Sequence, residues 1–106
     1  MREFDFEIPL DDDRCHFVFV AMKFGAGLED YVIVYYAVEG GRRVPLVCFD
    51  LSHGFPHKDL RYLPKKDKRR KQRLAPKPLQ ELFDESLEDI RSNWRRYYEE
   101  YLRCRK

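Results

Sequence analysis

The sequence predicts an α+β domain, a four-stranded antiparallel meander followed by one long C-terminal amphipathic helix. Three observations predict it. Four segments of the first half are dense in β-branched and aromatic residues, the residues that fit a pleated surface. Glycine, proline and aspartate collect between those segments, where turns belong. From Leu79 to Leu102 the apolar residues recur at steps of three and four, which places them on one helical face.

The first strand, residues 2–8, sends Phe4, Phe6 and Ile8 one way and Glu3, Asp5 and Glu7 the other. A period of two with one charged face marks a strand with one wet side. Pro9 and Asp11, Asp12 and Asp13 end it in a turn. Residues 15–24 are apolar on both faces and read as a central strand, closed by Gly25-Ala26-Gly27. Residues 30–38 form the third strand, and Gly40-Gly41 is a hairpin signal leading to the fourth, residues 42–49. Pro45 within the fourth strand requires an edge position or a bulge, because proline has no N–H for a ladder. Strands joined in sequence by tight turns make a meander. Cys15, Cys48 and His16 fall inside these strands and read as core residues.

Residues 51–75 show no period and read as a connecting loop; the helix starts near 76–79. Its first turns are acidic and its last turns basic, as the helix macrodipole favours. The 106 residues then form a single domain: meander 1–50, loop 51–75, helix 76–106. About 24 helical residues span roughly 36 Å, whereas strands of about eight span roughly 26 Å. The helix should therefore overhang its sheet and expose Trp94, Tyr97, Tyr98 and Tyr101 as an interface, with a homodimer the first candidate.

A net charge of +2 conceals an uneven distribution. Residues 1–57 carry five bases against ten acids, and residues 58–73 carry nine against two. The nine are Lys58, Arg61, Lys65, Lys66, Lys68, Arg69, Arg70, Lys71 and Arg73. Positive charge packed so locally suits a polyanion, and RNA is the expected partner. Three widely spaced cysteines supply no zinc motif, no signal peptide is visible, and no apolar run approaches a membrane span. A reduced, cytoplasmic setting is expected, with no cofactor and no membrane partner.

The candidate site is the turn 50–59, Asp50-Leu51-Ser52-His53-Gly54-Phe55-Pro56-His57-Lys58-Asp59. Two histidines four apart stand between two aspartates, and Gly54 and Pro56 exclude a helix there. Histidine suits general acid and base work near neutrality. His53 and His57 are thus candidates to act on an RNA 2′-hydroxyl and its leaving oxygen, with Asp50 or Asp59 orienting a ring. Lys58 or Arg61 could steady the charge on phosphorus. The same four side chains would hold a metal only if three or four converged, and they could instead serve a structured turn. No Gly-rich phosphate loop, GxSxG elbow or HExxH pattern occurs, and Ser52 lacks a nucleophile's context.

A strand ending in Asp, an HGxPH-like turn, a basic stretch and a terminal helix resemble the small TumE-type toxins of toxin–antitoxin operons. The matching positions are Asp50, His53, Gly54, Pro56 and His57. Leu51 stands where that family has Asn, and Asp59 where a third His is common, which weakens a three-histidine metal site. The likeness in layout spans roughly residues 1–95. It implies a toxin acting on RNA or translation and neutralised by a cognate antitoxin protein. The leading expectation is therefore a metal-independent ribonuclease using Asp50, His53 and His57, with the basic run gripping phosphates. The others are a non-catalytic nucleic-acid- or protein-binding module, and a structural partner using the aromatic helix end.

Overall fold

The computed structural model describes residues 2–105, apart from the side chain of His53. Six strands run in chain order, β1 (Arg2–Pro9), β2 (His16–Phe24), β3 (Leu28–Glu39), β4 (Arg42–Asp50), β5 (His57–Leu60) and β6 (Lys71–Arg73). Each pairs antiparallel with the next, giving one sheet of order β1-β2-β3-β4-β5-β6. Helix α1 (Leu79–Cys104) follows and lies over β3 and β4. The class and the meander are as the sequence predicts, but there are six strands and not four. The segment 51–75 is no plain loop: it holds a 3₁₀ turn (Ser52–Gly54), β5 and β6. Between the last two, Asp67 N–H bonds the carbonyl of Pro64 and Arg70 N–H that of Asp67.

Registry sorts side chains between two faces. Directly opposed residues point to the same side of a sheet, and one row runs Phe6, Val20, Ile33, Phe49, Lys58, Gln72 across all six strands. A second runs Ile8, Val18, Tyr35, Val47, Leu60. These rows face α1, and Val18, Val20, Ile33, Tyr35 and Val47 are fully buried with Ile90 of the helix. The register shifts between Tyr35 and Tyr36, where Val47 and Pro45 are their respective partners. Pro45 therefore sits at a bulge in a central strand, one of the two places where a missing N–H is tolerated.

The helix does not overhang. β3 has 12 residues and α1 has 26, so both span roughly 40 Å. Trp94 and Tyr97 are only 8% and 2% exposed and belong to the core, contrary to the expected interface. Tyr98 and Tyr101 are half-buried, and their hydroxyls donate to Glu39 at 3.1 and 2.8 Å. With Arg105 at 2.8 Å they fasten the helix end to the end of β3, and these donors, Tyr101 foremost, hold the Glu39 carboxyl below its ordinary range. His16 does sit among core rings, 4.5 Å from Trp94 and 4.6 Å from Tyr98, with Nδ1 2.7 Å from the Tyr35 hydroxyl. Cys48 is buried as expected, whereas Cys15 precedes β2 and is exposed.

Candidate functional site

The face away from α1 has its own rows. One reads Asp5, Ala21, Val32, Asp50, His57, Arg73, and the next Glu7, Phe19, Val34, Cys48, Asp59, Lys71. Both pass from acid on β1, through apolar residues on β2 and β3, to base on β6. No helix lies on this side, since the chain has only α1 among the described residues. The open face therefore has an acidic margin, an apolar middle and a basic margin.

Asp50 and His57 meet on this face because they end β4 and begin β5 as a directly opposed pair. The turn between them needs Gly54, whose φ of 81° is left-handed backbone that side chains resist. Asp50 Oδ1 lies 2.8 Å from His57 Nε2. Ser52 supports the same oxygen, its N–H donating at 3.3 Å and its hydroxyl at 3.0 Å. Nδ1 of His57 faces the Phe55 carbonyl at 3.4 Å, long for a good hydrogen bond. With its proton on Nε2, His57 donates to the Asp50 carboxylate, which fixes the ring. His57 itself is only 8% exposed.

Arg73 flanks the couple from β6, its guanidinium 4.3 Å from the centre of the Phe55 ring. Cys48 Sγ lies 3.8 Å from Asp50 Oδ2, but burial pushes its thiol up to about 11, so it is no thiolate nucleophile at neutrality. Asp59 stands beyond Cys48 and is bridged by Arg70 at 3.4 Å. It does not orient His57. No three His, Cys, Asp or Glu side chains converge on a metal position among the described residues. The side chain of His53, expected to act with His57, lies outside the described residues; its backbone is in the 3₁₀ turn.

The nine bases of 58–73 divide. Lys58 faces α1, where its ammonium donates to Asp89 at 3.0 Å and to the Tyr97 hydroxyl. Tyr97 in turn donates to Asp89 at 2.8 Å, and Asn93 to the same oxygen at 2.9 Å. Lys58 is thereby a core cation and cannot grip phosphate, a correction to its expected role. Its place in β5, one residue from His57, puts it on the opposite face. Arg69 is taken up by Asp67 at 2.9 Å, and Arg70 by Asp59 and the Leu63 carbonyl. Arg61, Lys65, Lys66, Lys68, Lys71 and Arg73 are exposed, with no ion pair among the described residues.

Sequence reasoning missed the Lys58–Asp89–Tyr97–Asn93 network, although Asp89, Asn93 and Tyr97 fall at steps of four on one helical stripe. It also missed the cross-sheet rows, which no local pattern reveals. No helix among the described residues is long and apolar enough to cross a membrane. The family model for the domain of unknown function DUF7718 matches residues 1–106, and the chain belongs to that family. No curated protein and no solved structure matches it.

Proposed function

We propose that this DUF7718 domain acts on RNA at the β4–β6 end of its open sheet face. One observation carries the reading: Arg73, exposed and with no ion pair among the described residues, stands directly opposite a carboxylate-bonded histidine, and five more such cations, Arg61, Lys65, Lys66, Lys68 and Lys71, lie in the same β5–β6 hairpin. Polyanion binding needs positive charge that is not already neutralised, and these residues supply it. The resemblance of Asp50, His53, Gly54, Pro56 and His57 to the turn of TumE-type toxins points to the same target. In the catalytic form of the reading, Asp50 holds the ring of His57, His57 exchanges a proton with the 2′-hydroxyl or leaving oxygen, and Arg73 faces the developing charge.

The burial of His57 favours a second form, a binding module in which the Asp50–His57 couple only fixes the β4–β5 turn. Salt titration tests the shared part. Replacing Arg61, Lys65, Lys66, Lys68, Lys71 and Arg73 by Gln should flatten the dependence of log Kd on log salt for single-stranded RNA, at about 0.7 per lost phosphate contact. An unchanged slope would reject RNA as the ligand of this margin. His57→Gln and Asp50→Asn then separate the forms: cleavage lost with binding kept supports catalysis, and cleavage unaffected by both leaves the binding module.

A further inference from the structure

The opposite margin has a different chemistry. β1 is an eight-residue edge strand, paired along one side with β2 and on the other with no strand among the described residues. Its open-face side chains are Glu3, Asp5 and Glu7. Phe4 and Phe6 point to the side of α1, but the helix lies over β3 and β4, and these rings stay 49% and 42% exposed. They are the exposed large hydrophobic residues among those described. A long edge strand with uncovered rings is a template for pairing.

We infer that the free edge of β1 receives an extended segment of another protein in which lysine or arginine alternates with apolar residues. The segment adds as a seventh strand, by main-chain hydrogen bonds. Its cations would stand beside Glu3, Asp5 and Glu7, and its apolar residues beside Phe4 and Phe6.

Charge selects this occupant over a second copy. If two β1 strands paired antiparallel about a two-fold axis through the sheet, every register centred from Glu3 to Glu7 that keeps the faces together would oppose acid to acid. Centred on Asp5, it sets Asp5 against Asp5 and Glu3 against Glu7, and like charges directly opposite are destabilising. Charge also excludes RNA here, because residues 2–13 contain six acids, Glu3, Asp5, Glu7, Asp11, Asp12 and Asp13, against Arg2 alone. Glu3 and Glu7 have partners in Lys23 at 3.5 Å and Arg43 at 2.7 Å, whereas Asp5 has no ion pair among the described residues. Pro9, which has no N–H to donate, ends the ladder at one side.

The test uses the ¹⁵N-labelled full chain and a synthetic peptide, Lys-Val-Lys-Phe-Lys-Val-Lys. Amide shifts should appear along β1 and at its neighbours in β2. A peptide of the same composition with its lysines gathered at one end should bind about tenfold more weakly, since it cannot present one charged and one apolar side. Asp5→Lys, with the melting temperature unchanged, and Phe6→Ser, with the fold kept by its amide spectrum, should each weaken the alternating peptide about fivefold. Equal binding of the two peptides, shifts confined to other strands, or no binding would each overturn the proposal. So would protection of β1 that grows with protein concentration alone, which would make a second copy the occupant.

Discussion

The two sides of the β5–β6 hairpin treat the same kind of residue in opposite ways. On the side facing α1, the Lys58 ammonium is enclosed by Asp89 and Tyr97 and has become part of the core. On the outer side, Lys71 and Arg73 stand one strand away, exposed and with no ion pair among the described residues. A charge run in the sequence is therefore not one feature. Place in the fold divides it into cations held by carboxylates, Lys58, Arg69 and Arg70, and cations left over for a ligand.

That division can be broken by measurement, beginning with the covered side. Trp94→Ala should cost about 4 kcal/mol of unfolding free energy in urea titrations, because the ring is core and not interface. A cost below about 1 kcal/mol would return Trp94 to the surface. Lys58→Ala should cost about 1–2 kcal/mol, since it leaves the half-buried Asp89 without its cation. The salt slope of RNA binding should stay as it was, and a flattened slope would place Lys58 with the outer cations.

At the far end of the helix, Glu39→Gln should cost about 1 kcal/mol after solvent screening is allowed for. Hydrogen bonds from Tyr101 and Tyr98 lower the Glu39 pKa, so its contribution is present above the ordinary carboxylate range. It is lost as pH falls through the lowered value, and the variant should lack that part of the acid limb. His16 gives a smaller effect. Burial, the largest influence, lowers its pKa; Asp11 and Glu39 oppose that and Arg95 adds to it. The unfolded chain then takes up the proton first, and stability falls as pH drops through the ordinary histidine range. His16→Gln, which can still meet the Tyr35 hydroxyl, should remove that slope. The smallest effect on stability belongs to the outer side: neutralising its six cations should change unfolding by less than about 0.5 kcal/mol.

Much of the architecture was legible. β1 to β4 are long enough to show alternation or dense β-branched runs, Pro45 announced its bulge, and the helix declared its stripe over ten apolar positions. β5 and β6 were not legible because four and three residues are too few to establish a period. Their pairing depends on partners in β4 that local reading cannot see. The expected overhang failed for a related reason: Leu28, Glu29 and Glu39 extend β3 beyond its apolar run, and strand ends carry little signal. Asp50 and His57 could be picked out together as a motif, but their direct opposition follows from β5 and was hidden with it.

Strand order that repeats chain order also has a kinetic meaning. Each hairpin closes a short loop, so the sheet can zip from one strand to the next with little entropy lost per step. The helix is different, because its anchor at Glu39 joins residues more than sixty positions apart. Until α1 docks, Val20, Ile33 and Phe49 form a bare apolar surface, and the half-made protein is then most exposed to aggregation. Folding should be limited by this closing step, and a chaperone would meet the protein as a finished sheet awaiting its lid.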